Sequence, residues 1–299
     1  MTSIKTLALA SVLGATLFAP AMAQPVASTP AVGVGPQYDT THVYMAEADL
    51  AAFATSFTAT FGGHASAPAT MTVTPTPSST RFEAVQTPAG SLSVFGFTTP
   101  IPYGFGAERT GYLVTDMEVA IEAARAAGAD VSVAPFPDPI GRDAIIQWPG
   151  GVNMQLYWHT TAPSYAPLVT TPENRLYLSK ERADVFVRDF VAFSHGTVTQ
   201  DDAVAPGVEI GRPGETYRRI RISSVFGKAV VLVTDGHLPW PYGREMTGYE
   251  VADLTATLAK ATAAGVKILV APYAADHRTA AIVEFPGGYI AEVHAADHP

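Results

Sequence analysis

The feature that most constrains the fold of this 299-residue chain is an internal duplication. The segment TGYLVTDMEVAIEAARAAGADVSVAPF, which begins at Thr110, returns as TGYEVADLTATLAKATAAGVKILVAPY from Thr247. The same offset of 137 residues relates Pro149-Gly-Gly to Pro286-Gly-Gly, so this stretch carries no insertion or deletion. Repetition at constant spacing indicates that one structural unit has been copied.

The duplication extends towards the N-terminus. IPYGFGAERTGY matches WPYGREMTGY with two additional residues in the first copy, and HVYMAEADLAAFATSF from His42 resembles RLYLSKERADVFVRDF from Arg175. The sequence therefore predicts two domains, 39–160 and 174–299. A Pro/Thr-rich linker, 161–173, joins them.

Each half contains the same pattern twice: a short β-rich run, an amphipathic helix ended by glycine, and three further strands. In the first unit the helix is predicted at about 50–60, with Asp49 as its N-cap and Gly62-Gly63 at its end. The remaining predicted elements of the first half are strands at 69–74, 80–87, 91–98 and 110–115, a helix at 117–127, and strands at 130–135, 143–148 and 152–158. The sequence thus predicts an α+β fold of four βαβββ units.

The N-terminal segment is typical of a secretory signal peptide. Lys5 precedes the apolar run 7–18, and Ala-Met-Ala occupies 21–23. The run is short for a retained membrane anchor. We therefore expect a secreted or periplasmic protein, cleaved after Ala23, with a loose leader at 24–38.

Composition narrows the range of partners. The chain has no cysteine, which excludes disulfides, thiolate ligands and a Cys nucleophile. Its formal net charge of −9, without any basic run, argues against nucleic acid and anionic membranes. We expect a small-molecule ligand, no membrane contact after signal removal, and a monomer or homo-oligomer.

The HVYMAEAD opening and the Pro-Gly-Gly turn before a strand with Gln155 or Glu292 resemble the vicinal oxygen chelate superfamily. Its members include glyoxalase I, bleomycin-resistance proteins and extradiol dioxygenases, and the resemblance covers nearly all of the mature chain. It implies that two units pair into a curved sheet that cups a ligand, so that this chain has two cups. It also implies a divalent metal held by His, His and Glu, with Gln replacing one ligand in some members.

The same resemblance places ligands on the last strand and seven residues before the Asp that opens each helix. The positions in the first cup are His42, Arg109 and Gln155. Arginine offers no lone pair to a metal. No metal cofactor is therefore favoured here, although a divalent ion on His42 and Gln155 is possible.

The corresponding positions in the second cup are Arg175, Met246 and Glu292. The thioether of methionine is a poor ligand for hard divalent ions. If this cup binds a metal, Glu292 and His294 are the candidate ligands, and His237 in the turn-rich loop TDGHLPWPYG could reach over them. The alternative is a buried ion pair of Arg175 and Glu292 in place of the metal.

The residues left in the cups suggest other roles. Arg109 and Gln155 could receive a carboxylate or another oxyanion, with His42 as a general base. Alternatively, Arg109 pairs with Glu108 or another acid, and His42 is a structural residue. Tyr103 and Tyr242 in the repeated PYG loops could stack on a ligand or simply pack between units.

These residues favour an exported protein of this fold that binds a small carboxylated or aromatic molecule without the usual metal triad. The alternative is a divalent-metal-dependent lyase, isomerase or dioxygenase of the same superfamily. A scaffold with vestigial cups is the third class. Neither a G-x-S-x-G elbow, a phosphate loop nor an H-E-x-x-H motif occurs in the sequence.

Overall fold

The computed structural model describes residues 32–74, 78–102 and 106–297. The predicted signal peptide at 1–23, most of the leader and Tyr103 lie outside these ranges. None of the helices in the described ranges is long and apolar enough to cross a membrane.

The first half forms one mixed sheet with two helices. Its strands run in the order β2-β4-β5-β1-β6-β9-β8-β7, and β3 pairs with β4. The elements are β1 (Thr41–Ala46), α1 (Glu47–Phe61), β2 (His64–Ala65), β3 (Ala69–Met71), β4 (Thr80–Thr87), β5 (Gly90–Phe97), β6 (Glu108–Leu113), α2 (Met117–Ala126), β7 (Asp130–Pro137), β8 (Gly141–Trp148) and β9 (Val152–His159).

The second half repeats this arrangement. Its sheet has the order β11-β12-β13-β10-β14-β17-β16-β15. The elements are β10 (Glu173–Leu178), α3 (Lys180–Ser194), β11 (Thr197–Pro206), β12 (Thr216–Ser224), β13 (Gly227–Val233), β14 (Met246–Glu250), α4 (Leu254–Ala263), β15 (Lys267–Ala275), β16 (Arg278–Glu284) and β17 (Ile290–Ala296). The predicted α+β fold of paired βαβββ units is confirmed.

The predicted N-cap of the first helix is wrong. Helix α1 begins at Glu47 with Ala46 at its N-cap, because the chain passes from β1 into the helix without a turn. Asp49 therefore lies in the first helical turn, where its charge favours the helix dipole. By contrast, Asp116 and Asp253 do cap α2 and α4, and each accepts a backbone N–H bond of 2.9 Å.

The registers of the central strands agree with the sequence repeat. His42 on β1 lies opposite Arg109 on β6, and Arg175 on β10 lies opposite Met246 on β14. Neighbouring residues on a strand point to opposite faces. The other face of these strands forms a contact between the halves, called here the seam, in which the hydroxyls of Thr41 and Thr247 are 2.9 Å apart.

Two hydrophobic cores flank the seam, and each is built from both halves. In one core Trp148 of β8 packs against Phe186, Phe190 and Phe193 of α3. In the other, α1 contacts the second half through a cluster of aromatic rings. The ring pairs of this second core include Phe57 with Phe285, Phe57 with Tyr249, and Phe53 with Tyr289. The halves therefore share their buried apolar surface.

The repeated Thr-Gly-Tyr motif follows from this packing. A Cβ on Gly111 would lie 2.7 Å from Nε2 of His42, and one on Gly248 would lie 2.5 Å from Oε2 of Glu292. Glycine is therefore required where a strand passes directly under a cup residue. Tyr112 and Tyr249 are almost fully buried in the two cores, so these tyrosines pack instead of lining a ligand site.

Candidate functional site

The first sheet encloses a cavity of about 100 Å³ that opens between its strands and the segment around Tyr165. Phe82 and Phe95 form part of its apolar wall. The polar residues that line it are Asp39, His42, Ser93, Asp138, Asp143, Gln155, Tyr157, His159 and Tyr165. No Arg or Lys lines this cavity within the part of the chain that the structure describes.

His42 is buried, with a 3% exposed surface, beside the rings of Phe95 and Tyr157. Neither ring nitrogen has a hydrogen-bond partner among the described residues. Burial lowers the pKa of His42 to about 4. The nearby amide of Gln155 partly opposes this shift, although it does not form a hydrogen bond of normal geometry with the ring, and the charge of Arg109 lowers the pKa further. His42 is therefore neutral at physiological pH and offers a free lone pair to the cavity.

Two carboxyl groups in the cavity are difficult to ionise. Asp39 accepts hydrogen bonds from Ser93 at 2.9 Å and Tyr165 at 3.4 Å, yet burial raises its pKa to about 6. Burial also raises the pKa of Asp143 well above its ordinary value, and the charge of Asp138 adds to the effect. The described lining of the cavity thus contains buried acid without an Arg or Lys beside it.

Gln155 is fixed by Tyr44, whose hydroxyl donates to Oε1 at 3.1 Å. Tyr44 is in turn hydrogen-bonded to Arg109. Arg109 does not line the cavity; it lines a neighbouring crevice that also includes Glu108 and Glu245.

This placement corrects the predicted oxyanion receptor. His42 and Gln155 share the cavity, but the third member, Arg109, lies in the crevice. There its charge partly opposes the rise that burial causes in the pKa of Glu245, a residue of the second half. The structure thus removes the only cation that the sequence assigned to the first cup.

In the second cup, buried charged side chains pair with one another. Arg175 lies 3.5 Å from Glu292, and Nδ1 of His294 lies 2.8 Å from the same carboxylate; all three side chains are at most 3% exposed. Met246 is buried in an apolar cluster with Ile282. The ion pair that the sequence offered as the alternative to a metal is therefore present.

Glu173 is a member of the second cup that sequence reasoning missed. Arg221 and Arg278 bind its carboxylate at 2.8 and 2.9 Å. Burial alone would raise its pKa, but these two arginines outweigh burial and lower it to about 2. A sequence signal existed, because Glu173 stands two residues before Arg175 and shares its face of β10.

A metal ion is geometrically possible in the second cup. One ligand atom from each of Glu173, Glu292 and His294 lies within 4.8 Å of the others, and all three residues are buried. Glu292 and His294 were predicted members of such a site, whereas the predicted third member, His237, has a side chain that is 90% exposed. A divalent metal thus remains possible for this chain, with Glu173 in place of His237.

The charge balance of the second cup opposes that possibility. Arg175, Arg221 and Arg278 already neutralise the two carboxylates, and burial of Glu292 is outweighed by His294 and Arg175, which hold its pKa far below the ordinary range. A divalent cation would bring like charge beside buried guanidinium groups. The donor atoms converge, but the site does not fit a cation.

The remaining predicted ligand contact is Tyr242. This residue is half-buried and packs against the cluster of Met246, Ile282 and Ile290, with its hydroxyl 3.5 Å from the carbonyl of Val208. It lies close enough to Arg175 and Glu292 for their charges to influence its pKa, which burial raises. Its role as a ligand contact stays a prediction.

No protein-family model and no curated protein sequence matches the chain. Solved structures match over most of their length. A variant of 4-hydroxymandelate synthase from Streptomyces coelicolor has a TM-score of 0.61 at 13% identity, and the match covers 90% of this chain and 94% of that one.

Two other enzymes superpose similarly. The 2,3-dioxygenase LapB from Pseudomonas sp. KL28 has a TM-score of 0.54 at 10% identity, covering 90% of this chain and 94% of its own. A Mn(II)-bound glyoxalase from Novosphingobium aromaticivorans has a TM-score of 0.55 at 13% identity, and the match covers 89% of this chain and 83% of the glyoxalase chain.

At these identities the likeness establishes the fold, and this chain has the duplicated vicinal oxygen chelate fold that its sequence predicted. Fold alone does not define activity. The matched proteins are enzymes, and one is bound to Mn(II).

The acid network predicts a pH dependence of stability. The pKa of Glu173 is about 2 in the folded chain against 4.5 for a free glutamate, so its contribution is complete above pH 4.5 and is lost as the pH falls towards 2. Glu173→Gln should lower the free energy of unfolding by about 3–5 kcal/mol at pH 7. It should also flatten the acid limb of the stability profile.

Urea unfolding at a series of pH values measures both effects. Glu118→Gln, which removes an exposed partner of Arg142, is the control and should change little. Identical acid limbs for the wild type and Glu173→Gln would contradict the assignment.

Proposed function

We propose that the protein is a divalent-metal-dependent enzyme of the lyase or isomerase type, with the first cup as its active site. The observation that carries this proposal is the composition of the first-cup cavity. It combines a neutral, unpartnered His42 with Asp39 and Asp143, two buried carboxyls of raised pKa, and its described lining has no cationic side chain. Buried acid without a counter-charge favours the binding of a cation.

The donor set supports this proposal. His42 supplies an imidazole nitrogen, Gln155 an amide oxygen and Asp39 a carboxylate oxygen, which together suit ions such as Mn²⁺, Fe²⁺ or Zn²⁺. Tyr44 uses only one lone pair of the Gln155 oxygen. A bound ion of this kind would polarise a substrate oxygen as a Lewis acid.

The residues of the chain supply the proton transfers. Ser93 and Tyr165 hold the carboxylate of Asp39 in place as a ligand. Burial and the charge of Asp138 raise the pKa of Asp143 well above its ordinary value, and we propose that this carboxyl transfers the proton to or from the substrate. A proton-transfer group beside the ion favours a lyase or isomerase over a dioxygenase.

The same charges restrict the substrate. A carboxylated ligand would meet the buried acid of Asp39 and Asp143 with only the proposed ion, and no cationic side chain of the described lining, to receive it, so an uncharged ligand is favoured here. Phe82, Phe95 and Tyr157 provide aromatic contacts instead. We propose a small, uncharged, oxygen-bearing substrate that fits a cavity of about 100 Å³.

Replacement of the proposed histidine ligand tests the metal site. Protein purified without chelators and loaded with Mn²⁺, Fe²⁺ or Zn²⁺ should bind stoichiometric metal, and His42→Ala should lose it. We expect a loss of affinity of at least roughly tenfold, because a first ligand is removed outright. Isothermal titration and elemental analysis measure it.

The exposed histidine gives a matched control, since His237→Ala should keep full binding. Loss of metal in Glu292→Gln but not in His42→Ala would move the site to the second cup. Absence of stoichiometric metal from the wild type would overturn the proposal and favour the metal-free binding protein.

The pKa of Asp39 predicts how metal affinity depends on pH. Binding at this carboxylate requires loss of its proton, so the affinity for Mn²⁺ should rise as the pH increases through about 6. Asp39→Asn should abolish this step. Titrations between about pH 5 and 7 measure it, with the exposed Asp130→Asn as control. A step that persists in Asp39→Asn would assign the proton to another group.

We also propose that the chain is exported, which rests on Lys5, the apolar run 7–18 and the Ala-Met-Ala motif at 21–23. N-terminal sequencing of the protein recovered from the periplasm or medium of an expressing bacterium should begin at Gln24. Protein that retains Met1 and stays in the cytoplasm would contradict export.

A further inference from the structure

Two glutamates at the seam form hydrogen bonds that connect the two halves. Glu108 opens β6 and Glu245 immediately precedes β14; the sequence repeat makes them equivalent, and it likewise relates Thr110 to Thr247. Thr247 donates its hydroxyl to Oε1 of Glu108. Thr110 donates its backbone N–H and its hydroxyl to Oε1 of Glu245 at 2.7 and 2.8 Å. Each glutamate thus binds the threonine of the opposite half.

Negative charge is concentrated around these two glutamates. Both glutamates are half-buried in the wall of a crevice of about 890 Å³, and Asp49 lines it too. Burial raises the pKa of Glu108 well above its ordinary value, and the charge of Glu245 raises it further. Burial likewise raises the pKa of Glu245.

The remaining groups around the pair do not cancel this charge. The titratable and charged residues that face one or both glutamates are Asp49, Arg109, Arg244, Tyr44, Tyr112, Tyr249 and Tyr289. Arg244 opposes the shift at Glu108, and Arg109 opposes the shift at Glu245. Water in the crevice also screens the repulsion, because neither glutamate is fully enclosed. The net direction for both carboxyls is nevertheless upward.

We propose that Glu108 and Glu245 form a proton-linked lock between the two halves, closed when the pair is protonated and loosened when both carboxyls ionise. A protonated carboxyl keeps an oxygen that accepts from threonine and removes the repulsion between the glutamates. Ionisation of both would place like charges together at a contact that both halves need. This lock is independent of the metal proposed for the first cup.

The direction of the pH effect follows from the raised pKa values. A group whose pKa is higher in the folded chain stabilises it fully below the ordinary glutamate pKa, and that contribution is lost as the pH rises through the folded value. The lock should therefore be tight in mild acid and weaken towards alkaline pH. The effect would reach both cups, because β6 pairs with β1, which carries His42, and β14 pairs with β10, which carries Arg175.

A double variant in which glutamine replaces both glutamates tests the lock. Glu108→Gln/Glu245→Gln keeps the shape and the accepting oxygens of both side chains. At pH 8 this variant should melt on the order of 2–4 °C higher than the wild type, and the difference should vanish near pH 4. Glu122→Gln, on the exposed face of α2, should show no such dependence.

Local hydrogen exchange gives a second readout. At pH 8, mass spectrometry should find faster exchange in wild-type peptides from β6 and β14 than in the variant, with β7 and β15 unchanged. Each single Gln variant should show part of the effect. The single variants therefore test the lock even if the double variant does not fold. Equal melting differences at both pH values, or faster exchange in the variant at pH 8, would overturn the lock.

Discussion

The alternation of side chains along four central strands is the constraint on which the rest of the structure depends. On β1 and β6, His42 and Arg109 lie on the cup face, while Thr41 and Thr110 point to the seam. On β14 the same alternation assigns Met246 to the cup and Thr247 to the seam. Because the two sheets meet back to back along these strands, the cups must open away from each other and the helices must flank the seam in shared cores.

Within this common frame, charge distinguishes the two cups. In the second, every buried carboxylate faces a guanidinium group, as with Glu173 and Arg278. In the first, the described lining of the cavity gives Asp39 and Asp143 no Arg or Lys partner, and Arg109 lines the neighbouring crevice instead. A cation is therefore redundant in one cup and favourable in the other, although both cups descend from the same repeated sequence.

The sequence predicted the fold closely because the repeat fixes register. Its alignment placed His42 with Arg109 and Arg175 with Met246, and the strand pairing agrees. The site was predicted less completely. Asp39 and Asp143 enter the cavity from the segment before β1 and from β8, and no local period connects them with His42. Arg109 lines the crevice with Glu108 and Glu245 instead of the cavity, a placement that only the three-dimensional distances of the folded chain decide.

The shared cores limit how such a chain can change over time. Since Trp148 packs on the second half and Phe57 on its aromatic cluster, deleting either half would strip apolar surface from the other. A cup that loses its ligand therefore cannot be shed by truncation, as an independent domain could be. It can only be filled in place, by side chains such as the arginines that neutralise Glu173 and Glu292 in the second cup.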